Sequence, residues 1–203
     1  MIKLKYISTF SIVVAFLILT SCTRILLVMY GVHKPKAENS KSLTAFLDKH
    51  KMNFAENFVT DTLGFKILTK YGAPEIMVFD KNLNFVPYKS EAKGTCNAPA
   101  ESFLSRLNAA NNYETSKQYN FDTIVSHLRT FDGKKVEINS IKKNDFIIVM
   151  TWAKWMGYKI HKEHTVSWYN AIKNNKNCNM VVLMVNVDLQ ENWGKDVLEK
   201  YKR

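Results

Sequence analysis

At 203 residues the chain is long enough for one ordinary domain or two small ones, and its 46% hydrophobic and 12% aromatic content excludes an intrinsically disordered protein. The formal net charge of +11 is spread over short clusters, at Lys134-Lys135, Lys142-Lys143 and Lys200 to Arg203, with no arginine-rich stripe interleaved with aromatics. Nucleic acid is therefore not the expected partner, and a solvated basic surface facing anionic lipid or glycan is.

The N-terminus carries the most specific signal. Met1 to Lys5 is basic, Phe10 to Leu19 is a continuous apolar run, and Leu19-Thr20-Ser21-Cys22 follows. This resembles the signal peptide and lipobox of bacterial lipoproteins. The resemblance implies that residues 1–21 are removed and that Cys22 is acylated, with palmitate among the expected chains. Acyl chains on Cys22 would hold the remaining chain at a membrane, outside the cytoplasm, in the bacterial cell envelope. The competing reading is an uncleaved span from Tyr6 towards Tyr30. It sets Arg24 in mid-bilayer, which is costly.

Ile25 to Tyr30 reads as a buried strand ending in Gly31-Val32-His33-Lys34-Pro35. Asn39 or Ser40 is placed to cap a helix through about Lys51, with Leu43, Phe46 and Leu47 on one face. A short strand over Phe58 to Asp61 and a helix over Leu63 to Lys70 follow. Gly72-Ala73-Pro74-Glu75 then opens an apolar strand to Asp80, and Lys81 to Asn84 turns into a second strand from Phe85. A helix is expected over Pro99 to Ala110. Residues 111–120 are polar and aperiodic and read as a linker. Phe121 to Leu128 reads as a short helix and Leu128 to Ile138 as a hairpin turning at Asp132-Gly133. Asp145 to Tyr158, DFIIVMTWAKWMGY, is a fully buried strand followed by an aromatic turn. A helix from about His161 to Asn174, a strand over Met180 to Val187 and a final helix over Asp196 to Tyr201 complete the chain.

A strand that stops at Trp152-Ala-Lys-Trp155, followed by Gly157 and a helix, resembles the start of the thioredoxin fold. So does the Gly-Ala-Pro-Glu hairpin, with Pro74 in the place of the cis-proline that faces the active-site loop. The resemblance implies an α/β thioredoxin-like fold, with one full βαβαββα module over residues 22–110 and a truncated second module over 121–203. Gly31, His33 and Pro35 would occupy the active-site position of the first module. Trp155, Met156, Gly157 and Tyr158 would occupy that of the second.

Thiol–disulfide chemistry needs a thiolate at a helix N-terminus and a second cysteine to resolve the mixed disulfide. Neither position has a cysteine, so catalysis of that kind is not expected at either. With Cys22 assigned to lipid, Cys96 and Cys178 remain. They could pair as a disulfide linking the halves in an oxidising envelope, or stay as ordinary thiols. His161 and His164, at i and i+3 on a helix, lack a third ligand by spacing, so no metal and no cofactor is expected. The function expected is a non-catalytic module that binds an envelope protein or peptide. The alternatives are a thiol-redox protein using Cys96 alone, or a structural subunit of an envelope complex.

Overall fold

The computed structural model describes residues 27–70, 72–88, 99–136, 141 and 143–201. Residues 1–21, expected to be a signal peptide, lie outside the described residues, as do Cys22 and Cys96. Among those described, no helix is long and apolar enough to cross a membrane.

The fold is mixed α/β. Strands are β1 (Ala37–Glu38), β2 (Asn57–Thr60), β3 (Ile76–Asp80), β4 (Phe85–Val86), β5 (Leu128–Thr130), β6 (Phe146–Trp152), β7 (Met180–Asn186) and β8 (Leu189–Gln190). Six form one sheet in the order β4-β3-β6-β7-β2-β5, and β1 and β8 form a separate two-stranded ladder. β6, β7 and β2 run parallel, while β3 is antiparallel to β6, β4 to β3 and β5 to β2.

Helices are α1 (Ser40–Lys49), α2 (Thr62–Leu68), α3 (Ala100–Ser105), α4 (Phe121–Ser126), α5 (Tyr158–His161), α6 (Ser167–Asn174) and α7 (Lys195–Tyr201). A π-helical stretch, Lys162–Val166, joins α5 to α6. The Asn39 side chain caps α1 by accepting from the Ser42 N–H, and Ser42 Oγ reciprocates on the Asn39 N–H. Asp61 caps α2 through the N–H groups of Leu63 and Gly64.

The apolar run of β6 is buried throughout because both sheet faces are covered. Phe146, Ile148, Met150 and Trp152 pack towards α1, α3 and α6, with Leu43, Leu104 and Trp168. Ile147 and Val149 pack on the opposite face with Leu68, Phe121 and Ile124 from α2 and α4. Each such side chain, moved from water to the core, contributes about 1.5–3 kcal/mol, so β6 is the centre of the fold.

Three expectations are corrected. The two halves do not carry sheets of their own: β6 and β7, from the second half, lie between β3 and β2, from the first. A strand buried on both faces needs neighbours on both edges, and neither half alone supplies them. Residues 111–120 are packed rather than spanning: the Ser116 N–H donates to the Phe85 carbonyl at 2.8 Å, and buried Tyr119 meets the Phe85 ring at 4.8 Å. Leu27–Met29 is helical, not a strand, with side chains 47, 74 and 57% exposed. A six-residue apolar run does not distinguish helix from strand by periodicity.

Candidate functional site

The carboxyl ends of β6, β7 and β2 and the start of β3 meet at one pole of the sheet. In open α/β sheets this is the end that presents loops to ligands. Glu75, which opens β3, donates its N–H to Thr151 Oγ1 at 2.8 Å, and its carbonyl accepts from the Thr151 N–H at 2.9 Å. This sets Ala73 and Pro74, joined by a cis peptide bond, against the turn that follows β6.

That turn is a single 3-10 turn, Lys154–Met156, closed by Gly157. Buried Asp188, just past β7, holds it by accepting from the Lys154 N–H at 2.6 Å and the Trp155 N–H at 3.4 Å. Asn186 Nδ2 donates to the same carboxylate at 2.7 Å. Burial pushes the Asp188 carboxyl up to about 6; these donors oppose the shift and nearby Glu38 adds to it. His161, fully buried, donates Nε2–H to the Ala153 carbonyl at 2.6 Å and accepts at Nδ1 from Thr165 Oγ1 at 3.1 Å. Both ring nitrogens are thus used in packing, and His161 presents no ligand atom. Burial lowers its pKa to about 4, against the Ala153 hydrogen bond, with His50 and His164 lowering it further.

The two cysteine-free stretches, expected in separate modules, lie against each other. The His33 N–H donates to the Trp155 carbonyl at 2.9 Å, and a Cβ on Gly157 would strike the backbone of Tyr30 and Gly31. Pro35, Ala73 and Trp155 line one pocket of about 200 Å³, completed by Phe65, Leu189 and Tyr201. Its lining is almost wholly apolar, with no cysteine among the described residues. Met156 does not face outward as a loop-tip residue would; it is 1% exposed, in the core with Ala153. Tyr158 is half-buried and stacks on His50 at 4.3 Å. The exposed His33 ring turns back to the Lys34 carbonyl.

Cys178 lies away from this pole, a free thiol beside the Leu107 carbonyl at 3.4 Å. Burial, with Asp145, raises its pKa to about 11, so it is a poor nucleophile at neutral pH.

Sequence reading missed the polar groups beneath the pole. Glu38 is 6% exposed and takes Lys154 Nζ at 2.7 Å and Ser42 Oγ at 2.6 Å. Gln190 is 5% exposed and donates to Asn186 Oδ1 and to the Asp188 carbonyl. The one local signal was Asn186 and Asp188 breaking an otherwise apolar run. Comparison with protein-family models, curated proteins and solved structures finds no match for this chain.

Proposed function

We propose that the protein is a non-catalytic, thioredoxin-like lipoprotein of the bacterial cell envelope. It is anchored through acylated Cys22 and binds an extended segment of a protein or peptide where Ala73, Pro74 and Trp155 meet. The apolar pocket beside Trp155 carries this reading: it suits a single aliphatic or aromatic side chain, and none of the described residues lining it carries a thiol to react with one. Among the described residues the Ala73 N–H and carbonyl make no hydrogen bond. They offer a short backbone edge to an incoming strand.

The strand arrangement supports the thioredoxin-like reading in an order other than the expected one. The neighbours β7-β6-β3-β4 combine a strand–helix–strand unit with an antiparallel hairpin opened by Pro74. Here the hairpin comes first in the chain and the strand–helix–strand unit second. One thioredoxin-like sheet assembled from both halves replaces two modules in series.

Calorimetric titration of the full-length protein, in neutral detergent, with blocked Ala-Leu-Ala and Ala-Ala-Ala peptides tests this function. The leucine peptide is expected to bind, the alanine peptide to bind at least tenfold more weakly, and Trp155→Ala to remove the difference, the size of a modest hot spot at about 1.4 kcal/mol or more. Equal binding by both peptides, or by W155A, defeats the proposal. In the producing cell, Cys22→Ala is expected to release the protein from the membrane fraction. A Cys96 thiol that exchanges with a partner disulfide would replace the binding reading with the redox one.

A further inference from the structure

Beside the same pole, and separate from the Trp155 pocket, lies a polar cleft of about 660 Å³. It is framed by the β1–β8 ladder, which pairs Glu38 with Gln190, and walled by Trp193 and Phe131. Four carboxylates (Glu38, Asp61, Asp132, Glu191) and one guanidinium (Arg129) line it, in a chain whose net charge is +11. Asp61 is taken up by Arg129 and His127, Asp132 by Lys134, and one oxygen of Glu38 by Lys154 and Ser42. Glu191 has no cationic partner among the described residues; its contact is Asn39 Nδ2 at 2.9 Å.

Acidic lining alone would say little. The informative atoms are Glu38 Oε1 and Gln190 Oε1. Both belong to side chains more than nine-tenths buried, and neither accepts a hydrogen bond from a described residue. Neither is sealed inside the protein. Both residues line the cleft, beside Glu191. Buried acceptors are ordinarily satisfied, and among the described residues one oxygen of Glu38 and the amide oxygen of Gln190 have no donor, beside Glu191, whose carboxylate has no cationic partner.

We propose that this cleft binds an organic cation, a guanidinium or primary ammonium group, which donates to Glu38 Oε1, Gln190 Oε1 and Glu191 with its alkyl stem against Trp193. Such a group supplies several N–H donors and one positive charge, matching the excess of acceptors, and an aromatic wall adds to its attraction. The volume suits a small organic ligand rather than a bare ion, and among the described residues no three metal-ligating side chains are grouped to hold a metal. The same chemistry is carried by a free amine and by a basic side chain of a partner.

The test uses full-length protein in neutral detergent, labelled with fluorotryptophan, whose four tryptophan signals are assigned by single Trp→Phe changes. Titration with agmatine is expected to move the Trp193 signal saturably and leave Trp152 and Trp168 in place. Glu191→Gln is expected to weaken binding about fivefold or more, the effect of losing one charge-assisted contact at a rim. A blocked Ala-Arg-Ala peptide distinguishes the sources: tighter binding than agmatine assigns the cation to a partner chain, weaker binding to a free amine. No movement of Trp193 by about 10 mM agmatine, a level covering even millimolar affinity, overturns the proposal. So does unchanged affinity in E191Q, an equal response to trehalose, or calcium moving Trp193 and blocking agmatine. Trp155 reports the neighbouring apolar pocket, so failure of one site is read separately from failure of the other.

Discussion

Two buried titratable side chains under the pole oppose each other in their dependence on pH. His161 has a folded pKa of about 4 against an ordinary value of 6.5, so between these values the unfolded chain binds more protons. Its contribution is complete above pH 6.5 and is lost as pH falls towards 4. Asp188 has a folded pKa of about 6 against 3.8, so the folded chain binds more protons in that window. Its contribution is complete below pH 3.8 and is lost as pH rises through 6. Each shift corresponds to about 3 kcal/mol, and the windows overlap from pH 4 to 6. Urea denaturation of the native protein is therefore expected to give a nearly flat stability in that range. Asp188→Asn should expose the histidine slope, with stability rising by about 3 kcal/mol between pH 4 and 6.5. A flat profile in that variant would show that His161 does not titrate low.

At the scale of elements, the segment leading from Leu27–Met29 to β1 lies on the turn after β6 because Gly157 lets it. Gly157 has φ 79° and ψ 152°, a region closed to side chains, and its missing Cβ is where the Tyr30 and Gly31 backbone passes. Gly194 has nearly the same conformation, φ 85° and ψ 152°, with open space around it. Gly194→Ala is expected to cost the conformational part alone, about 1–3 kcal/mol. Gly157→Ala should cost more and should also raise hydrogen exchange at the His33 amide, which is bonded to Trp155. Equal losses in the two variants, with His33 exchange unchanged, would mean that the segment does not depend on this approach.

For the whole molecule, interleaved strands make the two halves of the chain one folding unit. Thermal or urea unfolding is expected to be a single transition, coincident by tryptophan fluorescence and far-ultraviolet dichroism. Ile148→Ala, in the middle of β6 and fully buried, should lower that transition as a unit, at a cost of about 2–5 kcal/mol. Two separable transitions, with only one shifted by the substitution, would restore the picture of two modules.

Much of the element pattern was legible because local chemistry decides it. Asn39 announces a helix start, Phe146 to Trp152 announces a strand buried on both faces, and Asp80 to Phe85 announces a tight turn between strands. Pro74 and Trp155 were singled out by resemblance, Pro74 opposite the active-site position of the first module and Trp155 at that of the second, and both lie at one pole of the structure. The partners of each strand were not legible. Apolar runs such as β3, β6 and β7 carry no marking of their neighbours, since hydrophobic burial has no direction. The polar groups under the pole escaped notice for a related reason. Glu38 and Gln190 look like ordinary surface residues, and they are buried only because the two-residue ladder between β1 and β8 joins segments about 150 positions apart. The sequence by itself determined most of the helices, strands and turns, though not the helix at Leu27–Met29, and that no thiol stands at the expected active-site positions. Only the tertiary structure decided that both halves share one sheet and that buried Glu38 and Gln190 line one cleft, because these depend on which distant strands meet.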